Sequence, residues 1–281
     1  MQNPTVACIL VNWNNWRDTA DCLTSLADQT YPNLRVLVVD NASTNDSIAQ
    51  LRAAHPWATY IESPENLGFP RACNLGTRHP LAADAEFLWF LNNDTIAPPD
   101  TASKLLATAL TSPNIGVTGA VLLYAHNPCQ IQAWGGGQID LWSAYNWHYT
   151  SPTPFGPNSY ITFASALVRR ECFDALGGLF EGVFMYFEDV DFCLRAQADG
   201  WQLAVAPHTA ILHKEGGSST GRNQSLERIV TLSGLTFLAR HAPVPAISQA
   251  IFLFLRLAKR LARLDFPALR AVLQGINDFH Q

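Results

Sequence analysis

Through the first half of the chain, short apolar runs alternate with amphipathic stretches, the pattern of a parallel sheet covered by helices on both faces. TVACILV (5–11) and LRVLVVD (34–40) are continuous apolar runs bounded by polar residues, as buried strands are. Between them a helical period passes through Cys22, Leu23 and Leu26, with Asp18 or Thr19 as its cap and Pro32 closing the connection. EFLWFLNND (86–94) reads as a strand ending in polar residues. Pro98 and Pro99 then open a helix through Leu106 and Leu110, and IGVTGAVLL (115–123) reads as a further strand. The expected fold class is α/β, a mostly parallel central sheet flanked by helices in the Rossmann-like manner. In such sheets ligands bind beyond the carboxyl ends of the strands.

Two later segments break this pattern. From 127 to 160 the chain turns to Gly, Pro and aromatic residues (Trp134, Trp142, Tyr145, Trp147, Tyr149) without clear period. It reads as a loop-rich insert whose aromatics either stack on sugar rings or close a small satellite core. AISQAIFLFLRLAKRLARL (246–264) sets Ile247, Ala250, Ile251, Phe254, Ala258 and Leu261 against a stripe of Arg256, Lys259, Arg260 and Arg263. An amphipathic basic helix of this kind serves a membrane surface, the catalytic part of its own chain or a second subunit.

Composition narrows the classes. With 281 residues and 48% hydrophobic content, the chain can fill a large core. Its net charge of -5 argues against broad binding to nucleic acid, which needs a net basic face. The six cysteines stand apart, with no CxxC pair and no zinc spacing, and read as reduced, mostly buried thiols. The opening MQNPTVACILVNWNN lacks the layout of a signal peptide, and no apolar run reaches the roughly 18–20 residues of a bilayer span. The expected location is the cytoplasm.

No GxGxxG follows the first strand and no GxxxxGK[ST] occurs, which disfavours a dinucleotide oxidoreductase and a P-loop kinase. The strand ends offer carboxylates instead. Asp40 is suited to accept the imide N–H of a uracil or thymine ring, and Asp94 to hold a hard divalent cation. Each acid taken singly reads more readily as a helix cap or a loop cap; their joint placement in one crevice changes that balance. In FMYFEDVDFCLRAQADGW (184–201), Glu188, Asp189 and Asp191 open a helix, where acids also suit the macrodipole. An aromatic run leading into clustered carboxylates describes a general base beside an apolar wall. His213 ends the strand-like AILH, ahead of Lys214-Glu215-Gly216-Gly217.

VVDNAS (38–43), NLGFPRACN (66–74), FLNNDT (90–95), LVRRECFDALGGL (167–179) and FMYFEDVDFCLR (184–195), in this order with the His213 segment, carry a family likeness. The chain resembles the family 2 glycosyltransferases of the GT-A fold, and within them the bacterial rhamnosyltransferase-like group that works on surface polysaccharides. The resemblance implies a catalytic domain over 1–240, with a nucleotide-binding half (1–125) and an acceptor and catalytic half (126–240), followed by a helical C-terminal extension (241–281). It implies an inverting transfer of a sugar from a nucleotide-diphosphate donor, dTDP-rhamnose first and a UDP-sugar second, to a glycan or lipid-linked glycan acceptor. Asp40 would contact the base, with Asn12, Asn66 and Arg71 lining the nucleotide pocket. Asn92-Asn93-Asp94 would occupy the DxD position, with Asp94 and His213 holding Mn²⁺ or Mg²⁺. Asp189 matches the catalytic base, Glu188 and Asp191 being its neighbouring alternatives. The helix at 246–264 would give peripheral contact with the cytoplasmic face of the inner membrane, or a homodimer. Ala164-Ser165-Ala166 and Phe180-Glu181-Gly182 depart from the family pattern on the acceptor side. The rival classes are a non-catalytic glycan-binding protein and a sugar nucleotidyltransferase; against the latter, this sequence shows no Gly-rich loop with Arg and Lys near the N-terminus to grip a triphosphate.

Overall fold

A computed structural model describes residues 3–214 and 224–280. In chain order the elements are β1 (Val6–Asn12), α1 (Trp16–Ala27), β2 (Leu34–Asp40), α2 (Ser47–Ala54), β3 (Thr59–Glu62), α3 (Phe69–Thr77), α4 (Pro80–Ala83) and β4 (Phe87–Leu91). There follow β5 (Thr95–Ile96), α5 (Thr101–Ala109), β6 (Ile115–Tyr124), β7 (Asn127–Trp134), β8 (Gly136–Asp140), β9 (Tyr145–His148), β10 (Ser159–Ile161) and β11 (Ser165–Arg169). The last part holds α6 (Arg170–Ala175), α7 (Glu188–Ala198), β12 (Gln202–His213), α8 (Gln224–His241), α9 (Pro245–Ala262) and α10 (Phe266–Phe279).

One sheet runs β10-β8-β7-β6-β11-β4-β1-β2-β3, with β12 pairing β6 and β5. The stretch β4-β1-β2-β3 is parallel, so the carboxyl ends of β1, β2 and β4 open on one edge. Antiparallel pairing begins where β11 joins β4 and β6. Alternate residues face opposite sides, as the pleat requires. Ala7, Ile9, Leu37, Val39, Leu88 and Phe90 enter one core. Val6, Cys8, Leu10, Val36, Val38, Phe87, Trp89 and Leu91 enter the other, against Cys22, Leu23, Leu26, Leu105 and Leu106 of α1 and α5. Burial on both faces explains why these strands are continuous apolar runs.

The segment 127–160, expected as loops, instead carries β7, β8, β9 and β10. Its glycines mark close strand packing rather than irregular backbone. A Cβ on Gly136 would lie 1.9 Å from the Tyr160 carbonyl oxygen, and one on Gly137 1.9 Å from that of Trp147. Trp142, Tyr145 and Trp147 stay exposed, with the Tyr145 and Trp147 rings stacked at 6.0 Å.

The basic stripe of 246–264 is also corrected. Arg256 and Arg260 turn inward and both pair with Glu227 of α8, at 2.5 Å. Two guanidiniums on one carboxylate hold α9 to α8, and only Lys259 and Arg263 of the four remain exposed. Five of the six thiols are buried and Cys129 is exposed.

Candidate active site

The strand ends are held by a network of short polar side chains. Asn12 is fully buried; its amide donates to Asp40 Oδ1 (2.7 Å) and Ser43 Oγ (3.2 Å), and its carbonyl accepts from Thr19 Oγ1 (2.8 Å). Ser43 also donates through its hydroxyl (2.7 Å) and backbone N–H (3.0 Å) to the two Asp40 oxygens. The sequence places Asn12 at the lining of the nucleotide pocket; its amide and carbonyl are engaged inside the protein, where they fix the Asp40 carboxylate.

Asn66 accepts from Asn41 Nδ2 (2.9 Å) and from the Gly68 N–H (3.0 Å), while Asn41 Oδ1 accepts from the Leu67 N–H (2.8 Å). The loop so shaped reaches across to the segment before α7. Gly68 has φ 77°, a Cβ there would lie 2.3 Å from the Phe184 carbonyl oxygen, and the Phe69 N–H donates to that oxygen at 2.8 Å. Arg71 stands exposed in the first turn of α3, 4.0 Å from Glu65.

Beyond β4, the Asn92 N–H donates to the Ala164 carbonyl at 3.0 Å, and Asn93 Nδ2 donates to Thr19 Oγ1 at 2.7 Å. Thr19 thereby joins the ends of β1 and β4. The end of β12 runs antiparallel to β5, with His213 opposite Thr95. That register sets His213 Nε2 3.1 Å from Asp94 Oδ1 and 3.4 Å from Asn92 Nδ2. His213 Nδ1 lies 2.8 Å from Gln132 Oε1 of β7. An amide oxygen can only accept, so Nδ1 carries a hydrogen and Nε2 is the ring nitrogen that faces Asp94. The Lys214 ammonium bridges Asp18 (2.6 Å) and Asp21 (2.7 Å) of α1 and anchors this end of β12. Residues Glu215, Gly216 and Gly217 lie outside the described residues.

The three acids of α7 have three different surroundings. Tyr186 (φ 73°) and Phe187 (φ 67°) are both left-handed just before the helix, a conformation costing about 1–3 kcal/mol per non-glycine residue. Packing offsets that cost: Phe187 stacks on Phe237 at 5.2 Å, and Ser233 Oγ donates to the Met185 carbonyl at 2.8 Å. The sharp turn opens α7, where the Asp189 carboxylate accepts the Val190 N–H at 2.8 Å; Val190, the Phe163 backbone and the Thr162 hydroxyl all favour its charged form. Two residues on, Ala164 receives the Asn92 N–H. Burial pushes the Asp189 carboxyl above its usual range, against those hydrogen bonds. Glu188 is buried with Oε2 unpartnered among the described residues; burial, then the Asp189 charge, pushes it up further.

Asp191 points the other way. Its oxygens accept from Arg195 Nε (2.8 Å), Arg240 Nε (3.0 Å) and His241 Nε2 (2.7 Å). Burial alone would raise its pKa; the His241 hydrogen bond and the two guanidiniums bring it below the ordinary value. Asp191, an alternative to Asp189 in the sequence reading, clamps α8 onto α7 through Arg240 and His241.

Asn41, Ser43 and Gln132 were not singled out from sequence, and Thr19 only as a helix cap, whereas the helix starts at Trp16. Only Ser43, three residues after Asp40, carried a local signal.

Comparison with known proteins places this geometry. The O-antigen biosynthesis protein RfbC of Myxococcus xanthus is 29% identical over 220 residues, 72% of this chain but only 17% of that longer protein. An N-acetylglucosaminyl-diphospho-decaprenol L-rhamnosyltransferase of Mycobacterium tuberculosis is 29% identical over 227 residues, covering 72% of this chain and 73% of that one. The dTDP-rhamnosyl transferase RfbF of Shigella flexneri is 25% identical, covering 77% and 71%. Among solved structures, a mannosyltransferase of Pyrobaculum calidifontis in complex with GDP-Man and Mn²⁺ superposes with a TM-score of 0.63 at 19% identity, over 99% of this chain and 75% of that one. The fold is therefore the GT-A fold. The model of the family described as "Glycosyl transferase family 2" matches residues 7–177, more than half of the chain, and the chain belongs to that family, in its rhamnosyltransferase-like group.

Proposed function

We propose that this chain is a metal-dependent inverting glycosyltransferase of surface polysaccharide synthesis, transferring rhamnose from dTDP-rhamnose to a hydroxyl of a glycan or lipid-linked glycan. A UDP-sugar is the second choice of donor. The observation that carries the reading is the Asp94–His213 pair, 3.1 Å apart beyond the strand ends, with Asn92 next to it bonded to Ala164. The donor set fits Mn²⁺ or Mg²⁺: one carboxylate oxygen, one nitrogen of an imidazole that Gln132 orients, and Asn92 as a polar neighbour. The imidazole leans the choice toward Mn²⁺.

Asp40 accepts the imide N–H of a thymine or uracil ring, held in place by Asn12 and Ser43. Asn92 hydrogen-bonds the nucleotide sugar. Asp189 takes the proton of the acceptor hydroxyl as that oxygen bonds to the anomeric carbon from the face opposite the diphosphate. The bond from that carbon to the diphosphate oxygen breaks, its electrons leave with the nucleoside diphosphate, and the configuration inverts. The divalent cation supplies Lewis-acid neutralisation of the leaving charge. The raised pKa of Asp189 suits a base that must hold a proton after attack.

A thermal-shift screen of nucleotide sugars with and without Mn²⁺ tests the donor, since a ligand that binds only the folded state raises its stability. Stabilisation by dTDP-rhamnose that needs the metal, with release of free dTDP on adding acceptor, is expected. No metal-dependent stabilisation by any nucleotide sugar, or release of pyrophosphate, would overturn the reading.

A further inference from the structure

The C-terminal helices leave a large apolar face uncovered. On α9 Ile247, Ile251, Phe254, Leu255 and Leu261 recur at helical spacing, and Phe254 is 69% exposed. The turn into α10 adds Leu264 (72%) and Phe266 (57%), with Leu273 two turns further along the same side of that helix. Isolated exposed apolar residues are ordinary; a contiguous band of this size is a binding surface. No helix among the described residues is long and apolar enough to cross a membrane, so the band lies along a surface and does not traverse one.

The charges around the band identify its partner. Lys259 and Arg263 stand exposed at its α9 flank, and Arg270 lies between Phe266 and Leu273 on α10. Of the two acids of α10 and the preceding turn, Asp278 pairs with Arg228, and Asp265 caps α10 by accepting from the Ala268 N–H at 3.2 Å. A twofold dimer through this face would bring three cations from each copy together against one capping carboxylate each. An anionic surface with an apolar interior satisfies both features at once. We propose that α9, the following turn and α10 form a peripheral docking face for an anionic lipid bilayer, with Phe254, Leu264 and Phe266 entering the acyl boundary and Lys259, Arg263 and Arg270 at the headgroups. Arg256 and Arg260 take no part, because Glu227 neutralises them inside the protein.

Vesicle flotation of the full chain tests this, without reference to catalysis. The protein should float with phosphatidylcholine vesicles containing phosphatidylglycerol, weakly with phosphatidylcholine alone, and less as salt rises. Replacing Lys259, Arg263 and Arg270 by Gln should lower the partition coefficient on anionic vesicles by about a hundredfold, at about 1 kcal/mol per cation. Phe254→Ser with Leu264→Ser should lower it on both kinds of vesicle. These positions are exposed, so unchanged melting separates lost docking from lost folding. Equal partition on neutral and anionic vesicles, no flotation, or sedimentation as a dimer that Phe254→Ser dissociates would each overturn the proposal, the last assigning the face to a second copy.

Discussion

Glu188 and Asp191 lie three residues apart on one helix and are both buried, yet their surroundings drive them in opposite directions. Glu188 is buried with a neighbouring carboxylate and an oxygen that has no partner among the described residues. Asp191 has two guanidiniums and an imidazole. The first turn of α7 thus keeps carboxyls ready to hold a proton next to a carboxylate that serves as a structural anion. Sequence position and residue type do not separate the two roles; the elements packed on each side do.

The sharpest way to break this contrast is at Asp189. Asp189→Asn should lower turnover about 10²–10⁴-fold while nucleotide-diphosphate binding by calorimetry stays near wild type. Activity within a few-fold of wild type would transfer the proton-accepting role to Glu188. The turnover of the wild-type enzyme should also fall on acidification through a midpoint above the ordinary carboxylate range of ~4, because the base must be ionised and burial raises its pKa.

Stability should show the opposite linkages directly. Asp191 has a lowered pKa, so its contribution is present at neutral pH and is lost as pH falls below the ordinary aspartate range. Asp191→Asn should therefore cost about 3 kcal/mol near pH 7, the usual scale for leaving buried cations without their partner, and the deficit should shrink in acid. Glu188 has a raised pKa, so its contribution is present in acid and is lost as pH rises through the raised value. Glu188→Gln should match wild type at low pH and become the more stable protein at high pH. Denaturant melts of both variants across pH check the two signs, and parallel curves would show that the two environments do not differ as described.

The smallest effect is expected one layer out from the metal pair. Gln132→Leu leaves Asp94 and His213 in place but removes the acceptor that fixes the imidazole, and should weaken Mn²⁺ affinity about 10–100-fold. Mn²⁺ titration followed by electron paramagnetic resonance reads this without turnover. Unchanged affinity would make the Gln132 contact incidental.

What could be read from sequence follows the range of the interactions. The parallel strands were legible because burial on both faces writes itself as apolar runs, and β2 has the bounds its run suggests. Asp40, Asp94 and Asp189 stood out as acids at element ends. The strands of 127–160 were hidden because Gly135, Gly136 and Gly137, needed for close approach, also spell a loop. Gln132 was invisible for a different reason: nothing near it in the chain marks a residue whose partner is 81 positions away. The role of Asp191 likewise depended on Arg240 and His241, about 50 positions downstream and on another helix.

The pairing of β12 with β5 has a consequence for the order in which the molecule assembles. Asn92 and His213 are 121 positions apart, and joining ends that distant costs about 4 kcal/mol of chain entropy by the logarithmic rule for loop closure. Such a contact forms only after the intervening strands have registered with one another. During synthesis the half that carries Asp40 and Asp94 can take shape while the imidazole is still absent, so with the roles proposed above a nascent chain would recognise a nucleoside before it could grip the diphosphate.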